Sequence, residues 1–208
     1  MIVENEIRNL ASAYSDRLKK VIDKRVEEMK FDDFSHYLIY QVLGISNQEG
    51  HLIDVYQNKG RFLYKYAGSF LEEATKLCFK NAFPDSGSVK IPNTHGKRPK
   101  TFEIDCLVGL DALEIKWKEA TTDGDHITKE HTKIQAIFDA GYWPIRVMFY
   151  YPNRQQAIRI QQALETLYQG VHGQYYYADA AWNYVVQRTK IDFKGILQKI
   201  ADEKMMKK

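Results

Sequence analysis

Residues 101–119, T-F-E-I-D-C-L-V-G-L-D-A-L-E-I-K-W-K-E, constrain the fold more than any other stretch. Two alternating runs, Thr101–Val108 and Ala112–Lys118, flank Gly109-Leu110-Asp111, and that pattern predicts a β-hairpin. Side chains on a strand repeat every second residue, so Phe102, Ile104 and Cys106 share one face and Glu103, Asp105 and Leu107 the other. On the second run Leu113, Ile115 and Trp117 point one way, and Glu114, Lys116 and Lys118 the other. Where the polar faces coincide, Asp105, Glu114 and Lys116 converge beside an apolar layer. Two carboxylates and an amine on rigid strands suit a divalent metal and an activated water. The plain alternative is an exposed hairpin with cross-strand ion pairs. Asp105, the order of the surrounding elements and the basic, polar flanks weigh against it.

A chain of 208 residues buries a substantial core, and nothing in it demands more than one domain, 1–208. Hydrophobic residues at 44% and charged residues at 27% are ordinary for a globular protein. The net charge of +3 is mild, so binding to a polyanion has to come from local clusters. Cys78 and Cys106 lie in apolar patterns without a C-x-x-C unit, which predicts reduced core thiols. No apolar run is long enough to span a membrane, and M-I-V-E-N-E-I-R is not a basic and apolar leader. The expected location is the cytoplasm, with no membrane partner.

Residues 4–30 carry a helical stripe through Ile7, Leu10, Tyr14, Leu18 and Val21. Asp32 or Asp33 caps a second helix through Tyr37, Leu38, Val42 and Leu43, stopped near Gly44. Residues 46–59 read as polar with one apolar patch. A clear helix follows over 61–80, with Leu63, Tyr66, Ala67, Phe70, Ala74 and Leu77 on one stripe. On that wheel Glu73 lies at the edge of the stripe and reaches inward, while Glu72 faces water.

Residues 81–100 lose periodicity and read as a loop punctuated by Pro84, Gly87, Pro92, Gly96 and Pro99. Its Lys90, His95, Lys97, Arg98 and Lys100 are candidate phosphate clamps. After the hairpin, Thr121, Thr122, Asp123, Asp125, His126 and Lys129 carry groups able to read base edges or hold waters. His126 and His131 do not have the spacing of a helical zinc pair. Thr128 caps a helix through Ile134, Ile137 and Phe138 that stops at Gly141. Pro144–Tyr151 reads as a strand that follows this crossover helix and joins the sheet in parallel. Pro152-Asn153 opens a helix through Ile160, Leu164 and Leu167, closed by Gly170. Beyond Tyr175-Tyr176-Tyr177, helical stripes run through Trp182, Val185 and Val186 and through Ile196, Leu197 and Ile200.

The order helix, strand, strand with Glu-x-Lys, helix, strand, helix, with Asp105 nine residues ahead of Glu114, resembles the PD-(D/E)xK nuclease superfamily. Within it the chain looks most like a type II restriction endonuclease. The segments P-D-S-G-S-V-K-I-P-N-T-H-G-K-R-P-K-T-F-E-I-D, E-I-K-W-K-E-A-T-T-D-G-D-H-I-T-K-E-H-T and Y-W-P-I-R-V-M-F-Y-Y-P-N-R resemble the ApaLI-like group. One departure is plain: Ile104 stands where the superfamily name has Pro.

The resemblance implies an α/β (α+β-like) fold with a mixed central β-sheet flanked by helices. Its catalytic core spans 61–170, with helical additions over 1–60 and 171–208. It implies Mg²⁺ held by Asp105, Glu114 and the Ile115 carbonyl, with Mn²⁺ as a substitute and Ca²⁺ supporting binding without cleavage. Lys116 polarises the attacking water, Glu73, with Glu72 as the fallback, assists a second metal or its waters, and Lys118 touches the DNA backbone. The expected reaction is Mg²⁺-dependent hydrolysis of double-stranded DNA at a short palindrome, leaving 5′-phosphate and 3′-hydroxyl ends. The expected assembly is a homodimer, with a cognate DNA methyltransferase in the same cell. Two readings rival this one: a repair or junction-resolving nuclease of the same fold, and a DNA-binding protein without chemistry. A binding protein gains nothing from a concentrated negative patch facing phosphate.

Overall fold

Alternating strand patterns and amphipathic helical patterns interleave from residue 87 onward, and the sheet is built wholly from that part of the chain. A computed structural model describes residues 2–118 and 125–206. Three helices come first: α1 (Ile2–Glu28), α2 (Tyr37–Val42) and α3 (Asn47–Ala82). Then follow β1 (Gly87–Pro92), β2 (Thr101–Val108), β3 (Asp111–Lys116), α4 (Asp125–Asp139), β4 (Trp143–Met148), α5 (Gln155–Gly170) and β5 (Gln174–Tyr177). The helices α6 (Asp179–Thr189) and α7 (Phe193–Met206) end the described chain.

The five strands form one mixed sheet in the order β1-β2-β3-β4-β5. β1, β2 and β3 pair antiparallel, while β3, β4 and β5 run parallel, joined through α4 and α5 as crossovers. This is the mixed sheet with flanking helices that the sequence predicts. β3 lies at the centre, and Ala112, Leu113, Glu114 and Ile115 are all buried, so both faces of that strand are covered.

The simple alternation expected for the first hairpin strand does not hold throughout. Gly87 pairs with Leu107 and Val89 with Ile104, so two steps along β1 span three along β2. β2 therefore carries one extra residue near Asp105, and Ile104, Asp105 and Cys106 are buried in succession. A bulge re-aims the side chains on either side of it. Phe102 and Ile104 accordingly share a core cluster with Ala112 and with Ala136 and Ile137 of α4, and Leu107 packs against the same cluster. Cys106 and Cys78 are buried free thiols, and burial pushes them up to about 11 and about 12.

Several boundaries differ from expectation for identifiable reasons. The polar segment 46–59 is helical, because α3 begins at Asn47 and runs for 36 residues. Its start is marked by Ser46, whose hydroxyl accepts the Glu49 N–H at 3.2 Å; S-N-Q-E is a capping-box pattern. The supposed loop 81–100 contains β1, an edge strand whose Pro92 and glycine-bearing start hide its alternation. Tyr175–Tyr177 belong to β5. The strand bearing Glu114 stops at Lys116, short of Lys118. Thr128 lies inside α4 and not at its cap, since the helix opens at Asp125. Asp33 likewise does not cap α2; its carboxylate takes the Ser35 N–H at 2.8 Å.

The chain divides into two compact units, Arg8–Phe70 and a second joining Met1–Ile7 to Leu71–Lys208. In the first unit Tyr14 meets Tyr66 and Phe70 edge-on, with centroids 6.0 and 5.7 Å away. Gly50 permits the close approach of Tyr40, since a Cβ there would stand 2.6 Å from the ring. Among the described residues no helix is long and apolar enough to cross a membrane.

The second unit contains a buried charge pair. Arg146 of β4 donates to Glu130 Oε1 of α4 at 2.7 Å, and the Tyr168 hydroxyl of α5 donates to the same oxygen at 2.7 Å. Arg146 also lies 5.8 Å from the centroid of the Tyr175 ring. This network ties α4 to the sheet and to α5. Removing one partner of a buried pair leaves the other charge uncompensated. Glu130→Ala is therefore expected to destabilise the protein by about 3–5 kcal/mol, read as a lower midpoint in urea denaturation. A loss below about 1 kcal/mol would show that Arg146 finds water or another partner.

Candidate active site

β2 and β3 pair at Cys106–Leu113, Leu107–Ala112 and Val108–Asp111, and their ladder ends there. One residue further on, the Asp105 carboxylate accepts the Ile115 N–H on Oδ2 at 2.8 Å. A side chain thus stands where a ladder carbonyl would be, and it fixes Asp105 against the centre of the sheet. Strand geometry puts the Ile115 carbonyl on the same edge as its N–H. Glu114 and Lys116 follow on β3, two residues apart and on one face.

The three predicted residues do converge. Lys116 Nζ lies 2.5 Å from Glu114 Oε1 and 3.6 Å from Asp105 Oδ2. A fourth group, Lys133 of α4, contacts Glu114 Oε2. Both oxygens of Glu114 are therefore held by ammonium groups, while Asp105 shares only Lys116.

Charge and burial set the protonation of this cluster. Burial, then the neighbouring Glu114 carboxylate, push Asp105 up to about 6, against the pull of Lys116 and Lys133. Burial also works against charge on Glu114, yet Lys116 and Lys133 outweigh it and hold that carboxyl well below the usual range. Burial disfavours the Lys116 ammonium, but Glu114 and Asp105 overcome it and keep the group protonated.

The helix carboxylate is a correction. Glu73 is exposed, whereas Glu72 is half-buried, adds to the upward push on Asp105 and pairs with Lys76 at 2.6 Å. The buried stripe of this part of α3 is Leu71, Ala74, Thr75, Cys78 and Phe79, rotated from the one predicted. At about 100° per residue that stripe puts Glu72 on its edge and Glu73 nearly opposite. The predicted stripe mixed in Leu63, which is 50% exposed and belongs to the other compact unit.

The candidate nucleic-acid contacts are scattered. Lys90 is exposed on β1 opposite Glu103, and Lys97, Arg98 and Lys100 are exposed in the loop between β1 and β2. His95 lies 2.6 Å from Asp139, at the last turn of α4, which anchors that loop. Lys129 is exposed on α4. Lys118 lies 5.5 Å from the centroid of the Trp117 ring. With Trp117, Tyr150, Tyr151, Pro152 and Asn153 it lines a cavity of about 440 Å³. Thr121, Thr122 and Asp123, and the side chains of Asp125 and His126, lie outside the described residues.

Lys133 was missed from sequence, although a signal existed. Glu130 and Lys133 fall on the same helical stripe as the buried Ile134 and Ile137. Charges on an inward stripe need a partner in the core.

A mixed sheet whose central hairpin presents two carboxylates and a protonated lysine is compatible with the core of a nuclease. The family model for ApaLI-like restriction endonucleases matches residues 1–202, and the chain belongs to that family. No curated protein and no solved structure matches it. The family implies DNA as substrate and a divalent metal ion. Among the described residues no group of three or more His, Cys, Asp and Glu forms a ready metal cage. Asp105, Glu114 and the Ile115 carbonyl nonetheless fit a hard cation that takes one or two carboxylates and leaves its other positions to water and phosphate.

The position of Glu72 is testable without knowing the recognition sequence. Glu72→Gln is expected to lower the titration midpoint of Asp105, followed by carboxyl-carbon NMR, whereas Glu73→Gln leaves it in place. No shift from Glu72→Gln, or an equal shift from Glu73→Gln, would overturn the choice of Glu72 over Glu73.

Proposed function

We propose that the protein is a type II restriction endonuclease that cuts double-stranded DNA at a specific short palindrome with Mg²⁺, leaving 5′-phosphate and 3′-hydroxyl ends. The observation that carries this reading is the convergence of Asp105, Glu114 and Lys116 at the centre of the sheet. Mn²⁺ substitutes, and Ca²⁺ supports binding without cleavage. The enzyme acts in the cytoplasm, where a cognate methyltransferase protects the host's own sites.

Asp105, Glu114 and the Ile115 carbonyl would hold the metal. When bound, the cation supplies Lewis acidity at the scissile phosphate and makes a neighbouring water more acidic. Lys116 is protonated beside its carboxylates in the free protein. Its ammonium donates hydrogen bonds to the attacking water and then offsets the charge that gathers on the phosphorus oxygens. Attack in line with the 3′ oxygen breaks the P–O3′ bond and leaves the phosphate on the 5′ side. Lys97, Arg98 and Lys100 neutralise backbone phosphates and contribute affinity rather than chemistry.

Digesting a DNA of known sequence with Mg²⁺ and sequencing the fragment ends tests activity, site and stagger together. In that assay Asp105→Ala and Glu114→Ala are expected to be inactive. Lys116→Ala should bind a cut-site duplex in Ca²⁺ within about tenfold of the parent, roughly 1.4 kcal/mol, yet cut it orders of magnitude more slowly at saturation. Lys97→Ala should show the reverse, with weaker and less salt-sensitive binding but normal cutting once bound. A Lys116→Ala enzyme that cuts normally at saturation would reduce Lys116 to a phosphate clamp.

The proposed homodimer is supported by an apolar face in the unit Arg8–Phe70. Leu38, Ile39, Val42 and Leu43 of α2 and Leu52 and Tyr56 of α3 are all exposed. No Asp, Glu, Lys or Arg occurs between Phe34 and Gln48. A stretch without ionic side chains meets its own two-fold copy without like-charge repulsion. Sedimentation velocity should find a dimer that Val42→Asp converts to monomer; a dimer indifferent to that change has its interface elsewhere.

A further inference from the structure

The nuclease reading leaves Lys133 without a task, although it is one of the two cations on Glu114. We propose that Lys133 is a positioning residue that makes metal loading depend on DNA: it neutralises Glu114 in the free protein and transfers to a backbone phosphate when DNA arrives. This rests on the proposed function and assigns that site a form of regulation.

The charge balance is the first argument. Asp105 and Glu114 carry two negative charges at most, and Lys116 and Lys133 carry two positive ones. A site so balanced offers a divalent cation little net attraction, even though its oxygens suit one. Losing either ammonium restores the attraction.

The two lysines are not equivalent. Lys116 comes from β3, between two paired strands, and bridges Glu114 and Asp105. Lys133 comes from a helix, and in the cluster it has an ion pair only with Glu114. Its side chain is 14% exposed against 31% for Lys116, so what sets it apart is the number of carboxylates it holds, one against two. Lys133 is thus the partner able to leave.

The third argument is mechanical. Glu130, one helical turn before Lys133, is held by Arg146 and Tyr168, and Ile134, Ala136 and Ile137 are buried. The helix backbone is therefore fixed, and the transfer needs only rotations of a four-carbon stem. A phosphate beside that ammonium draws it off Glu114, whose oxygen is then available to the metal. Linkage requires the reverse effect as well: the metal strengthens DNA binding by the same factor.

The test uses the whole protein, Ca²⁺ as the metal probe, and a duplex taken from a mapped cleavage site. Calorimetry reads Ca²⁺ affinity without DNA, and a binding titration reads DNA affinity with and without Ca²⁺. Lys133→Met keeps the apolar stem and is expected to bind Ca²⁺ at least about tenfold more tightly than the parent in the absence of DNA. The enhancement of DNA affinity by Ca²⁺ is expected to fall in the same variant, while Lys133→Arg stays close to the parent. Unchanged or weaker Ca²⁺ binding by a cooperatively folding Lys133→Met overturns the proposal. Should that variant fail to fold, Lys133→Arg decides, and loss of the coupling there overturns it. A parent protein that cuts no DNA defeats the nuclease reading, whereas the DNA-free Ca²⁺ comparison still reports on Lys133.

Discussion

Two carboxylates placed side by side in the middle of a sheet repel each other and resist losing their water. Asp105 and Glu114 remain there because cations come in with them from two directions, Lys116 along the same strand and Lys133 from the helix above. Much of the second unit can be read as support for that arrangement. The extra residue in β2 re-aims Asp105, the end of the β2–β3 ladder exposes the Ile115 N–H to it, and the Glu130–Arg146–Tyr168 network sets the height of α4. Each of these features removes a freedom that would let the ion cluster come apart.

The electrostatic outcome is asymmetric. Glu114, held on both oxygens, keeps its charge at any ordinary pH, whereas Asp105, with a smaller share of positive charge, retains its proton up to about 6. A raised carboxyl binds its proton more tightly in the folded state than in the unfolded one. Its contribution to stability is therefore largest at acid pH, below the unfolded value, and is lost as pH climbs through the folded one. Above about 6 Asp105 is ionised beside Glu114, and the two carboxylates then repel each other most strongly.

Legibility from sequence followed the range of the interactions involved. Glu114, Lys116 and Asp105 were readable because a hairpin's geometry is nearly fixed by period-two alternation and a short turn. The crossover helix and the parallel strand after it were readable for the same local reasons. Glu72 was misplaced because α3 crosses from one compact unit to the other, and a single wheel averaged two buried stripes. β1 was missed because an edge strand with an interrupted register has no continuous apolar face. Lys133 was missed because its partner is 19 residues away in sequence, and only the packing of α4 brings them together. The start of α3, by contrast, is legible in the sequence, because S-N-Q-E at 46–49 is a capping-box pattern.

β1 has one further consequence. As the outermost strand on its side of the sheet it exposes Ser88, Lys90 and Pro92. An uncovered strand edge invites a second chain to add a strand and begin a fibril, and a lysine and a proline on it discourage that addition. Lys90 is a candidate for attracting phosphate, yet its place on the rim gives it a second duty that persists when no DNA is near. The opposite rim is short, with β5 spanning only four residues, Gln174–Tyr177. The sheet that carries the ion cluster is thereby shielded from its own copies at both margins, which favours a chain that stays dispersed while crowded.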